Sequence, residues 1–234
     1  LFGAGFATMV SRILVAVVLL AIIFWGKRFA DFRLPLSADS LSQLPSLRDI
    51  HRKSWPVSLQ IGLETFCFAG SAVMTGWLGE IPLAAYQILM TLGTLGFPLY
   101  YSLGASMSIR ISYFLGQNDK AEALLAGKAG RNLLLLNATL SSMLFYFAGN
   151  VIVHLFTQDM AVISAALALL VPLVVYQYAD ALQICYANAL RATQHVLPMT
   201  WSSAVAYLVV GMPAAYLMGF TLKGGVEGIF YSFA

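Results

Sequence analysis

"VVYQYADALQICYANAL", residues 174–190, is apolar along almost its whole length, yet Asp180 stands in its middle. The solvent around this stretch decides the fold. Of the 234 residues, 60% are hydrophobic and only 10% are charged, and the mean hydropathy is +0.81. A soluble domain carries about 25% charged residues. The apolar residues also come in runs of about twenty or more, enough to cross ~30 Å of hydrocarbon at ~1.5 Å per residue. Buried helices of soluble proteins rarely exceed about 10–14 apolar residues without a charge. Lipid admits only helices or closed barrels, and the alternation a barrel requires is missing. The sequence therefore predicts an all-α polytopic membrane protein.

Outward from residues 174–190, the apolar runs predict six complete spans at 1–25, 55–79, 83–109, 132–157, 160–190 and 196–222, with another starting near Gly228. Pro98, Pro172 and Pro213 fall inside spans, where proline is tolerated as a kink. The first span lacks the basic start and small-residue cleavage site of a secretory signal and counts as structure. Leu1 is not an initiator Met and the last apolar run stops at Ala234, so the expectation is a fragment truncated at both ends.

Charge gives the orientation. Eleven of the thirteen Lys and Arg residues lie on one side of this arrangement: Lys27, Arg28, Arg33, Arg48, Arg52 and Lys53, then Arg110, Lys120, Lys128 and Arg131, then Arg191. The other side has Lys223 alone, and the positive-inside rule makes the loaded side cytoplasmic. The net charge of +3 thus reflects topology, and no nucleic-acid partner is expected. Trp55 and Trp77 mark the edges of the second span, as interfacial anchors or as core aromatics. Residues 26–54, with Pro35 and Pro45, read as a cytoplasmic linker between span 1–25 and a bundle over 55–234. Within the linker, Ser46-Leu47-Arg48-Asp49 has the form of a helix start.

Glu64 and Asp180 are the carboxylates placed far from any span edge. Each costs about 2.5–3.5 kcal/mol to insert at a helix centre, so something must offset it. Glu64 lies eleven residues after Lys53 on an outward span, and Asp180 eleven residues before Arg191 on an inward one. Eleven residues rise roughly 16 Å, about half the membrane, so both acids are expected near the midplane. At 100° per residue, Gln60, Glu64, Ser71 and Thr75 share a stripe about 60° wide. Tyr176, Asp180, Gln183 and Arg191 share one of about 80°, and Gln87, Thr91, Thr94, Pro98, Tyr101 and Ser102 one of about 100°. Three polar faces predict a shared hydrated cavity. Taken singly, each hydroxyl or amide is as well explained as interhelical hydrogen-bonding glue. The acids are not, because intramembrane ionisable groups mark ion or substrate pathways.

Such a pair suits cation exchange. In a low-dielectric cavity a carboxylate loses the hydration that favours its charged form, and two of them disfavour double ionisation. The pair can then share a proton or host Na⁺, with Tyr176 supplying or orienting an oxygen one turn before Asp180. His51, His154 and His195 have no zinc-site spacing, Cys67 and Cys185 read as small apolar packers, and no phosphate-binding Gly-rich loop supports ATP drive.

Four stretches, "PVSLQIGLETFCFAGSAVMTGWLGEIPLAAYQI", "SLGASMSIRISYFLGQNDKAEA", "YQYADALQICYANALRA" and "VVGMPAAYLMG", come in this order across nearly the whole chain. Together they resemble the second half of the multidrug and toxic compound extrusion (MATE) family, NorM-type. The resemblance implies twelve helices in two six-helix lobes, with 1–25 as the last helix of the N-terminal lobe and 55–234 as most of the C-terminal lobe. It implies a cation site at Glu64, Asp180 and Tyr176, with Gln60, Gln87, Thr94 and Gln183 expected along the cavity. It also implies export of organic cations or drugs in exchange for Na⁺ or H⁺, with no enzymatic step and no cofactor beyond the coupling ion. The expected partners are those small molecules, membrane lipid and the missing N-terminal lobe, and the expected location is a bacterial inner (plasma) membrane. The pattern departs at Ala192, where relatives have Gly, and at Phe230, where they have Trp; both are expected to lie off the site. Three rivals are a lipid-linked precursor flippase of the same superfamily, which would want basic residues in its cavity, an intramembrane aspartyl protease, which would want two aspartates, and a non-transporting membrane scaffold, which leaves the insertion cost of both acids unexplained.

Overall fold

The computed structural model describes residues 2–26 and 46–233, and these are helical apart from short turns. The chain divides into two compact units, Leu1–Ile50 and His51–Ala234. The first contains α1 (Phe2–Trp25), whose large apolar side chains are exposed from Phe6 to Trp25. The second takes in nearly all of α2 (Leu47–Trp77), then α3 (Glu80–Gly116), α4 (Lys120–Phe156), α5 (Met160–Ala168) and α6 (Leu170–Ala192). It ends with α7 (Val196–Thr221) and α8 (Gly225–Tyr231). Five helices are long and apolar enough to cross a membrane, or six when α5 and α6 count as one bent span. Among the described residues there is no strand. The chain is an integral, multi-pass, all-α membrane protein.

The helices overrun the spans predicted from hydropathy. A hydropathy window ends at the first charges, whereas a helix ends where its backbone is capped. α2 starts at Leu47, immediately after Ser46, whose hydroxyl accepts from the Arg48 N–H at 3.2 Å. The helix start predicted at Ser46 is therefore present. The rest of the predicted linker, residues 27–45 with Lys27, Arg28, Arg33, Pro35 and Pro45, lies outside the described residues. α3 and α4 continue past residues 109 and 132 into a tight turn, where Asn118 adopts φ 60° and Asp119 accepts from the Glu122 N–H at 3.0 Å. Arg110, Lys120, Lys128 and Arg131, expected in a loop, are on helices instead. α8 begins at Gly225, three residues earlier than predicted. Trp55 and Trp77 are both exposed, which favours the anchor reading over the core one.

The three prolines act differently. The span predicted over 160–190 is broken by a bend of 42° between α5 and α6. Pro172 explains it: its ring cannot bond to the carbonyl four residues back, and Ala168 is where α5 stops. α3, by contrast, runs uninterrupted through Pro98. Around Pro213 the backbone of α7 relaxes into π-helical turns at Val205–Gly211 and Leu217–Thr221, with the Met212 N–H donating to the Tyr207 carbonyl.

Two apolar clusters hold the second unit together. Towards the side expected to be outer, Tyr86, Leu89 and Leu92 of α3 pack on Phe145 and Val153 of α4, Val162 and Ile163 of α5, and Phe230 of α8. Towards the basic side, expected to be cytoplasmic, Tyr100, Met107 and Ile111 pack on Leu134, Ala138, Ala181 and Ile184. α2 meets α7 where the Thr200 hydroxyl donates to the Pro56 carbonyl at 2.8 Å. α8 meets α7 backbone to backbone: a methyl at Gly228 would run into the carbonyl of Met218. Close approach through small residues is how membrane helices gain contact without a hydrophobic drive between them. Gly228→Ala is therefore expected to cost about 1–3 kcal/mol, as overpacking does. A lowered unfolding temperature of the purified protein in detergent checks this; an unchanged one contradicts it.

Candidate cation and substrate cavity

The site is positioned by α2 and α6, which run antiparallel in a register fixed by polar side chains. At the basic end, expected to be cytoplasmic, the Lys53 ammonium donates to the Gln194 side-chain carbonyl at 2.8 Å. Farther in, an Arg191 guanidinium N–H donates to Gln60 Oε1 at 2.7 Å. Deepest, Gln183 Nε2 donates to Glu64 Oε2 at 3.4 Å, and Gln60 Nε2 donates to the same oxygen at 3.0 Å. Gln183 is thus level with Glu64, and Asp180, three residues before it on α6, sits only ~4.5 Å away along the helix axis. The depth match expected from counting residues holds to within one helical turn.

Glu64 and Asp180 line one cavity of about 500 Å³ among α2, α3, α6 and α8. Gln60, Thr94, Tyr176 and Gln183 line it too. Asp180 is 4% exposed and Gln60 2%, and both line the cavity. Tyr176 and Asp180 interact through their side chains. Glu64 keeps two amide donors on a single oxygen, and among the described residues none donates to its other oxygen. A carboxylate held this way can accept a proton or a hard cation.

Part of the predicted polar lining lies elsewhere. Gln87 is exposed and outside the cavity lining. It precedes Thr94 by two helical turns, about 10 Å, so sharing a face did not give it the same depth. Ser71 and Thr75 are buried away from the cavity, and the Thr75 hydroxyl donates to the Ser71 carbonyl. The hydroxyls of Thr91 and Ser102 likewise bond within α3. The Thr75, Thr91 and Ser102 hydroxyls are thus satisfied on their own helices, while the Ser71 hydroxyl is buried without a partner among the described residues.

Arg191, expected both as a loop charge and on the polar stripe with Tyr176, Asp180 and Gln183, lines the cavity with its Nε buried and unpaired among the described residues. Two features lay outside the sequence reading. Phe230, expected off the site, lines the cavity and meets Tyr176 edge-on at 6.4 Å between ring centroids. The other departure, Ala192, is buried in the cytoplasmic cluster away from the cavity. Phe68 and Phe97 complete an aromatic wall that no polar stripe could signal. Behind Phe68, Tyr176 and Gln183 lies a second cavity of about 840 Å³, bounded by the π-helical turn of α7 and by Trp201 and Tyr207. The two cavities share those three side chains.

A family model described as MatE matches residues 56–217. The multidrug resistance protein NorM of Vibrio cholerae serotype O1 is 29% identical over 219 residues, covering 94% of this chain and 48% of that protein. The probable multidrug resistance protein NorM of Acinetobacter baylyi is 29% identical over 227 residues, covering 97% and 50%. The chain thus spans about half the length of the curated relatives it matches. Among solved structures, the Vibrio cholerae MATE transporter VcmN in its bent form aligns with a TM-score of 0.75 at 17% identity, over 80% of this chain and 42% of that one. A MOP superfamily transporter from Pyrococcus furiosus, described as having a binding pocket of reverse polarity, aligns at 0.71 with 18% identity, over 79% and 40%. Both structural likenesses concern the fold.

Proposed function

Because this chain belongs to the MatE family, we propose that it forms one lobe of a secondary active efflux transporter, which exports organic cations in exchange for Na⁺ or H⁺ taken up at Glu64 and Asp180. The observation that carries this reading is the lining of one cavity by two carboxylates and an aromatic wall of Phe68, Phe97 and Phe230. Carboxylates attract a cation of any kind, while aromatic faces favour an organic one by cation–π attraction and area burial. An incoming proton or sodium ion neutralises the acids and removes what holds the organic cation, which is then released. α1 belongs on this reading to the companion lobe, and the substrate passes between the two lobes.

The flippase reading is less well supported. A pyrophosphate would meet Glu64 and Asp180, with Arg191 as the one basic residue lining the cavity among the described residues. The protease reading lacks its second aspartate. Reconstitution of the full-length protein in liposomes tests the proposal. A fluorescent organic cation should leave its compartment when either a Na⁺ gradient or a pH gradient is imposed, and should stay when neither is. Movement under neither ion gradient refutes antiport, and whichever gradient suffices identifies the ion.

A further inference from the structure

We propose a second binding site, on the cytoplasmic half of the bundle, for an anionic phospholipid of the inner leaflet. A cavity of about 440 Å³ opens where α3, α4 and α6 meet, away from both acids. Its floor is apolar, formed by Met107 and Ile111 of α3 and by Tyr186 and Ala189 of α6. Its rim is cationic: Lys120, Lys128 and Arg131 line it, and none of the lining residues is acidic. The three cations lie within an arc of about 80° on α4 and rise over ~16 Å of helix, so they follow one side of the groove. All three are exposed, and among the described residues none has a carboxylate partner; Arg131 donates to the Asn132 side-chain oxygen at 3.3 Å.

Depth favours a lipid over a soluble anion. Tyr186 and Ala189 follow Asp180 by six and nine residues, placing the apolar floor about 9–14 Å below the level of the acids, within the cytoplasmic leaflet. Lys120 is at the start of α4, beside the turn that ends the hairpin. Lys120 therefore lies at headgroup level, while Lys128 and Arg131 climb beside the floor, from where their long side chains reach back towards headgroups of the leaflet that carries anionic lipid. A soluble phosphate would use the rim and leave the floor empty.

The test is native mass spectrometry of the full-length protein released from micelles containing phosphatidylglycerol or phosphatidylcholine, with free glycerol phosphate as competitor. Phosphatidylglycerol should be retained preferentially, and the triple variant Lys120→Gln, Lys128→Gln, Arg131→Gln should lose the preference by roughly fivefold per charge removed. Gly127→Leu supplies a second, charge-neutral arm: Gly127 lines the groove, and its first added carbon would meet Ile111 at an ordinary 3.7 Å, so the side chain fills the floor without displacing backbone. It should lower retention with all three cations intact. Equal retention of the two lipids, a preference that survives both variants, or displacement of the lipid by millimolar glycerol phosphate would each overturn the proposal.

Discussion

Glu64→Gln and Asp180→Asn should each abolish ion-driven efflux of a fluorescent organic cation from liposomes carrying the full-length protein. Both changes preserve shape and remove only the ability to carry negative charge. Insertion should not suffer, because an ionisable acid at a helix centre costs about 2.5–3.5 kcal/mol that an amide largely avoids. A loss of transport in a protein that inserts at least as well as the original separates mechanism from folding. The double variant should be no worse than either single one, since groups that act as a unit are strongly non-additive. Wild-type efflux from both single variants refutes the assignment.

The second large effect is expected at Arg191→Gln. The guanidinium reaches Glu64 through the Gln60 amide, in bonds of 2.7 and 3.0 Å. A unit charge ~8 Å from a bound cation, at an effective dielectric of about 20, disfavours that cation by ~2 kcal/mol. Arg191 should therefore help expel the coupling ion towards the cytoplasm. Its replacement is expected to lower the half-saturating concentration of the coupling ion by roughly tenfold or more, with a fall in maximal rate as release slows. Glutamine retains an amide donor for Gln60, so the bond network survives in part. An unchanged half-saturating concentration with a reduced rate would mean that Arg191 only braces α6 against α2.

Much of this was legible in the sequence, and the successes and failures have separate physical causes. Hydropathy located the five helices long and apolar enough to cross a membrane, and the bent α5–α6 pair, because transfer from water to hydrocarbon is a sum over residues, independent of how helices pack. It misplaced the ends of α2, α3 and α4 because charged residues such as Arg110 and Lys128 extend a helix into the headgroup region as readily as they end one. Counting eleven residues from Lys53 and from Arg191 set Glu64 and Asp180 level because both helices are regular over those stretches. The Pro172 bend lies beyond Asp180, towards the outer side, and so did not disturb the count. The stripe on α3 failed at Gln87 because angular position says nothing of depth. Phe230 was unreadable for another reason: it reaches the cavity from α8, whose approach to α7 depends on backbone contact at Gly228. Such contacts belong to the tertiary fold alone.

Cation exchange at Glu64 and Asp180 requires both to face a common wet space, and thiol accessibility tests that most directly. With Cys67 and Cys185 replaced by Ala, Glu64→Cys and Asp180→Cys can be exposed in turn to a charged, water-soluble methanethiosulfonate reagent. The reaction needs the thiolate, which forms only where water reaches. Leu182→Cys is the control: Leu182 lies two residues past Asp180 at nearly the same depth, exposed on α6 and outside the cavity lining. Both cavity positions should react well above that control, and an organic cation should protect both. Reaction as slow at Glu64→Cys and Asp180→Cys as at Leu182→Cys would contradict the account.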